Sequence, residues 1–159
     1  MTAKNMISIR PGTPADREIL ICLERDAFGP YAWADEEIGN SFAQPFVYTL
    51  FATRTSRPDE EEDGRAPGGY LVWRQIADEA EIMSIGVMSA YQRCGLAKAL
   101  LAELEAQTKT LNLRRIILEV RKGNEPALAL YLGYGYHHIG QRKNYYRDGS
   151  DGIVLAKLL

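Results

Sequence analysis

Apolar and polar positions follow two different periods along this chain, and the switches between them predict an ordered series of strands and helices. Residues 6–10, 46–53, 69–75, 79–87 and 115–121 are short runs rich in β-branched and aromatic side chains, as strands are. Between the last two, the spacing changes to Leu96, Ala97, Leu100, Leu101 and Leu104, which is one helix face, so 95–110 is read as a helix. Thr13 followed by Pro14 opens an earlier helix with a cap residue and a proline at its first position. Residues 34–42, after the Gly29-Pro30 turn, and 125–134, after the cap residue Asn124, supply two more helices. Residues 136–145 and 152–157 read as closing strands. Strands and helices in alternation give an α/β domain with a mixed central sheet flanked by helices. At 159 residues the chain has the length of one such domain, spanning 1–159.

Residues 54–69 interrupt this regularity. Asp59-Glu60-Glu61-Glu62-Asp63-Gly64 is acidic and poor in apolar groups, so the segment is expected to be a mobile acidic loop insertion. A rim that attracts a basic protein is the other reading of this charge run. Elsewhere the composition is that of a small globular protein, with 46% hydrophobic and 25% charged residues. The net charge of −2 argues against general nucleic-acid binding. No apolar run reaches the roughly 18 residues of a membrane span, and the start of the chain lacks a signal-peptide core. A cytoplasmic location without membrane contact is expected. Cys22 and Cys94 form no CxxC pair, and His137 and His138 are adjacent on a strand and so face opposite sides; no metal site is expected.

The candidate chemistry sits where strand 79–87 turns into helix 95–110. Helix N-termini leave backbone N–H groups unpaired and carry partial positive charge, so a phosphate is stabilised there. In the turn Gln92-Arg93-Cys94-Gly95-Leu96-Ala97-Lys98, Gly95 lets a ligand approach the backbone, and Arg93 and Lys98 supply cations suited to a pyrophosphate. A plain strand-to-helix connection is the simpler reading of the same turn. Gly86, within Ile85-Gly86-Val87, suggests a bulge or a close ligand approach. On strand 115–121, Glu119 and Arg121 share one face and Leu118 and Val120 the other, so Glu119 can face a cleft. It could equally be an exposed strand carboxylate paired with Arg121 or Lys143. Asn124 and Tyr131 are seven residues apart, close to two helical turns, and lie on roughly one face. Tyr131 could also be a core aromatic bonded to a backbone carbonyl.

The order Gln92-x-x-Gly95-x-Ala97 resembles the acetyl-CoA pyrophosphate loop of the GNAT N-acetyltransferase superfamily. Leu118-Glu119-Val120-Arg121, Asn124-x-x-Ala127, Ala129-Leu130-Tyr131 and Arg142-x-Asn144-Tyr145-Tyr146 narrow the resemblance to its RimI-like branch, the ribosomal-protein-alanine N-acetyltransferases. The match is close over residues 80–159 and loose over 6–53. It implies the acyl-CoA N-acyltransferase fold and acetyl-CoA as acetyl donor, held by Ile85, Gly86, Val87, Gln92, Arg93, Cys94, Gly95, Leu96, Ala97, Lys98 and Asn124. It also implies Glu119 as general base, Tyr131 as general acid, and Phe28, Trp33, Tyr145 and Tyr146 against the acceptor. The implied acceptor is a protein N-terminus, with a ribosomal protein as partner. Where the family has a proline soon after the first aromatic and another after the paired tyrosines, this chain has Gly29-Pro30-Tyr31 and Arg147. Acetylation of an internal lysine or small amine, and a non-catalytic acyl-CoA-binding module, are the competing readings.

Overall fold

The computed structural model describes residues 6–55 and 66–159. Its strands and helices run β1 Met6–Pro11, α1 Arg17–Phe28, α2 Asp35–Ser41, β2 Val47–Thr55, β3 Gly69–Ile76, β4 Glu79–Val87, α3 Leu96–Thr110, β5 Arg115–Arg121, α4 Glu125–Gly133, β6 His137–Arg142 and β7 Gly152–Leu158. The hydrogen-bonded strand order is β1-β2-β3-β4-β5-β7-β6, and β4 with β5 is a parallel pair among antiparallel ones. This is the mixed α/β sheet that the alternating periods predict. The acidic run Asp59 to Gly64 lies outside the described residues. Two compact units partition the rest, one built from the segments up to Arg74 together with Met83–Leu104, the other from Gln75–Ile82 and Glu105–Leu159.

In the first unit, α1 presents Leu20, Leu23 and Ala27 to a core that includes Ile38, Phe51, Tyr70 and Val72. The helix begins differently from the simple threonine cap. Pro14–Asp16 forms a single 3-10 turn ahead of α1, with Thr13 at its N-cap in a capping box with Asp16, and the Thr13 hydroxyl also donates to the Asp16 carboxylate. Asp16 is the true anchor: its carboxylate accepts the Thr13 N–H at 2.8 Å and pairs with Arg10 at 2.9 Å. Hydrogen bonding to Arg10 holds that carboxyl below the usual aspartate value, against the opposing effect of burial. In α3, Leu96, Leu100, Leu101 and Leu104 are all buried, as the helical spacing requires.

Glu24 is buried among these apolar groups. It is only 2% exposed, yet it lies on the stripe Leu20, Leu23, Glu24, Ala27 that faces the core. Its carboxylate accepts hydrogen bonds from the Tyr70 hydroxyl, from Ser84 Oγ at 2.9 Å and from the Trp33 N–H at 3.2 Å. Tyr70 and Ser84 also touch each other, 3.0 Å apart. A buried carboxylate survives because several donors take the place of water. Glu24→Ala would leave those donors without their acceptor, and a buried unsatisfied group costs about 1–3 kcal/mol. The variant is expected to lose roughly 3 kcal/mol in urea unfolding. A loss under about 0.5 kcal/mol would mean that the donors find other acceptors.

The second unit carries β5 at its centre. Alternate residues Ile116, Leu118 and Val120 are buried, while Ile117, Glu119 and Arg121 lie on the other face. Strand alternation therefore places Glu119 as expected. The end of α3 is tied down by Glu105, which pairs with Lys157 at 2.7 Å and Lys109 at 2.9 Å. Those two cations, Lys157 first, hold the Glu105 carboxyl below its usual value. β6 is shorter than the 136–145 strand that the sequence suggests. It stops at Arg142, and Asn144, at φ 52°, turns so that its N–H meets the Asp151 carboxylate at 2.9 Å. His137 and His138 are both exposed, because β6 ends the strand order and the register slips between His138 and Gly140.

Candidate active site

The turn before α3 is built to expose backbone. Ser89–Tyr91 forms a 3-10 turn, Gln92 is extended, and Arg93 and Gly95 have φ of 61° and 86°. The second of these explains the glycine, since the left-handed region strains any residue with a Cβ. Gly95 C=O accepts the Ala99 N–H at 3.0 Å, so Gly95 stands at the helix cap and the N–H groups that follow begin the helix. Gln92, Arg93, Gly95 and Lys98 are exposed, whereas the Leu96 side chain is core and offers only its backbone. Cys94 Sγ sits 3.3 Å from Arg54 Nη1 and 3.6 Å from the Gln92 carbonyl, half-buried in the turn.

Gly86 has a packing reason to be glycine that the sequence does not suggest. A Cβ there would meet the Tyr70 ring at 2.7 Å and Ala27 Cβ at 2.8 Å. Close packing of α1 and β3 therefore fixes this residue. Ile85, Gly86 and Val87 are all half-buried at the end of β4. Phe28 is 37% exposed at the end of α1, and Trp33 is partly buried against the core, its N–H held by Glu24. Trp33 thus serves the core as well as any acceptor surface.

The second unit brings Glu119, Arg121, Arg142, Tyr145 and Tyr146 together. The Glu119 side chain is only 7% exposed, and Oε1 lies 3.4 Å from Arg142 Nε. The carboxylate is thus not the exposed strand group of the simpler reading. Arg121 instead pairs with Asp148 at 2.7 Å, bonds Ser150 Oγ at 2.9 Å, and stacks 4.1 Å from the Tyr146 ring centre. Tyr146 meets Tyr145 edge-on at 5.0 Å, and burial, with a smaller push from Tyr145, drives its phenol up to about 12. Hydrogen bonds from Ser150, then Arg121, pull the Asp148 carboxyl down to about 2.

Asn124 caps α4, its Oδ1 accepting the Ala127 N–H at 3.3 Å. Tyr131, seven residues on, is 5% exposed and packs edge-on against Tyr136 at 5.7 Å. Burial, with a smaller contribution from Tyr146, raises its phenol above the ordinary tyrosine value. The group keeps its proton at neutral pH. Two features escaped the sequence reading. Arg142 belongs to a motif, but its reach to Glu119 depends on the pairing of β6 with β7. Glu24 could have been found, as the one carboxylate on the apolar stripe of α1. Among the described residues, no group of three or more His, Cys, Asp or Glu side chains is placed to hold a metal ion. No described helix is long and apolar enough to cross a membrane.

With this geometry in place, the comparison with known proteins is decisive at the family level. The model of the Acetyltransferase (GNAT) family matches residues 21–136. The chain belongs to the acetyltransferase (GNAT) family. A ribosomal protein bS18-alanine N-acetyltransferase from Haemophilus influenzae is 37% identical over 92 residues, which cover 55% of this chain and 62% of that one. The match thus spans less than two thirds of that curated relative. Among solved structures, the ribosomal-protein-S18-alanine N-acetyltransferase from Escherichia coli aligns with TM-score 0.81 at 26% identity, covering 96% of this chain and 94% of that one. Arabidopsis thaliana NAA60 in complex with acetyl-CoA also reaches 0.81, at 22% identity, over 97% and 99% of the two chains, and this likeness shows the fold alone. Membership in the GNAT family agrees with the resemblance carried by the turn at Gln92 and the strand at Glu119.

Proposed function

We propose that this GNAT-family chain transfers the acetyl group of acetyl-CoA to the α-amino group of a protein N-terminus. The observation that carries the reading is the burial of the Glu119 carboxylate on the face of β5 opposite Leu118 and Val120. An ammonium cannot attack a thioester; it must first lose a proton, and a buried carboxylate is a suitable acceptor. An α-amine with pKa near 8 is about a tenth neutral at pH 7, whereas a lysine near 10.4 is neutral in roughly one molecule of a few thousand. The α-amine therefore asks less of a carboxylate base.

In this reading the exposed turn Gln92 to Lys98 and the backbone of Ile85 to Val87 hold acetyl-CoA, and the family resemblance assigns Asn124 to the donor as well. Backbone N–H groups on that strand end suit a developing oxyanion. Glu119 takes the proton of the incoming amine. Tyr131, which keeps its proton, supplies one to the departing thiolate. Phe28, Trp33, Tyr145 and Tyr146 are aromatic surfaces suited to a short peptide with a small first side chain. The names of the bS18-alanine and S18-alanine N-acetyltransferases support an N-terminal alanine of a ribosomal protein as the acceptor of this reading, and the cytoplasm is its proposed setting.

CoA release measured with alanine-, serine- and methionine-starting peptides, a lysine peptide with a blocked N-terminus, and a polyamine tests this choice. The alanine peptide is expected to give the highest kcat/KM. Preference for the lysine peptide or polyamine would reassign the acceptor, and tight CoA binding without turnover on any acceptor would make the chain a binding module. A second test addresses the donor. Gly95→Asp adds a carboxylate where the pyrophosphate should meet the helix N-terminus, and acetyl-CoA affinity is expected to fall at least about tenfold by calorimetry. Gly95→Ala carries the backbone strain at φ 86° without the charge and should lose less. Equal affinities in both variants and the parent chain would remove the turn from the donor site.

A further inference from the structure

Arg142 is the cation that the fold itself places beside Glu119. Its Nε lies 3.4 Å from Oε1 of a carboxylate that is nearly inaccessible, while the guanidinium side chain is 56% exposed. The strands explain the approach. Glu119 on β5 is paired with Val154 on β7, and Val154 with Gly140 on β6, so these three stand in one cross-strand row. Cross-strand neighbours share a face, and residues two apart on one strand share it too, so Arg142 projects on the face that carries Glu119. Gly140 adds nothing to the row, and a Cβ there would have open space around it. The Arg142 side chain reaches back across this gap, with its guanidinium carbon 5.4 Å from the Tyr145 ring centre. Arg121, two residues from Glu119 on the same strand, is held by Asp148 and Ser150 and stacked on Tyr146.

We propose that Arg142 is a positioning residue that occupies the Glu119 carboxylate before the acceptor arrives, and that the acceptor's ammonium exchanges with it. The proposal rests on the reading of Glu119 as the group that meets the amine. A carboxylate buried beside a cation is already shaped to receive one, and an α-ammonium carries the same charge as the guanidinium it displaces. The exchange keeps the charge of the site constant, so the buried carboxylate is not left uncompensated at any point. The half-exposed arginine can swing into water at little cost, whereas Glu119 stays fixed. Tyr145 gives the guanidinium a second resting face. This arrangement favours acceptors that arrive as ammonium groups over neutral nucleophiles, whichever amine carries the charge.

A two-by-two set of variants in the full chain tests this, with initial rates for an alanine-starting peptide and acetyl-CoA affinity measured by calorimetry. Arg142→Gln removes the competing cation, and the acceptor KM is expected to fall roughly two- to fivefold, the range of a partly exposed ion pair. Acetyl-CoA affinity should be unchanged. Arg142→Lys keeps a cation in place and should stay close to the parent KM. In the Glu119→Gln background, Arg142→Gln should have no further effect on KM, because the group through which it acts is gone. A KM that rises or stays the same in the single variant overturns the proposal, as does a KM effect of equal size in both backgrounds. Failure of the underlying reading shows elsewhere: it appears as a parent-like kcat for Glu119→Gln alone, independently of what Arg142→Gln does to KM.

Discussion

Glu119→Gln is expected to lower kcat at pH 7 by about a hundredfold or more, within the range general base catalysis contributes. The amide keeps the shape of the side chain on β5 and can still meet Arg142, so folding should be nearly unaffected. What it loses is the ability to take a proton. The loss should shrink as pH rises through the acceptor's own pKa near 8, because more of the amine is then neutral without help. The sign of the pH effect is therefore fixed: the variant recovers toward the parent with increasing pH and never with decreasing pH. A lysine acceptor, with pKa near 10.4, should recover only at correspondingly higher pH. If kcat of Glu119→Gln follows the parent across pH 6 to 9, the carboxylate is structural and the proton leaves by another route.

Strand and helix periods made most of the architecture legible, and the reasons for the exceptions are local. α3 and β5 follow their apolar spacing almost residue for residue, because their buried faces are aliphatic apart from Thr108. β6 did not, since an edge strand has little burial to impose a pattern, and the turn at Asn144 is fixed by its hydrogen bond to Asp151, a contact from farther along the chain. The start of α1 shows the same limit at short range. Thr13-Pro14 correctly marks where the chain turns, but the stabilising group is Asp16, because Arg10 brings its charge to that carboxylate from β1.

The site divides in the same way. Gly95 stands out in the sequence as a place for a ligand to approach, and its φ of 86° adds a local conformational reason for the glycine. The packing demand on Gly86 could not be read, because the atoms that make it belong to Tyr70 and Ala27. Alternation places Glu119 on the face opposite Leu118 and Val120, but says nothing of Arg142. Arg121 engages Asp148 and Tyr146 from the same strand as Glu119, and Arg142 comes from another strand. Charge pairing across a sheet depends on register, and register is written in no single segment.

Tyr131→Phe tests the other proton transfer, independently of the donor site. The substitution keeps the ring against Tyr136 and removes only the hydroxyl. A purely structural tyrosine would lose at most about 1 kcal/mol of stability, the net worth of one hydrogen bond, and little activity. A proton donor to the departing thiolate should instead lose roughly a hundredfold in kcat, with acetyl-CoA affinity nearly preserved. Burial raises the Tyr131 phenol above its ordinary value, so the parent enzyme should show no loss of activity from its ionisation between pH 6 and 9. The raised value also makes the phenol a reluctant donor, which means the transfer depends on contact with a thiolate that is itself poorly solvated. An acetyl donor whose thiol is more acidic needs less protonation as it leaves. With such a donor the Tyr131→Phe deficit should narrow, while that of Glu119→Gln should persist, since the amine must lose its proton whichever thiol departs. If Tyr131→Phe turns over both donors at the parent rate, the hydroxyl is not the acid and the thiolate takes its proton from water.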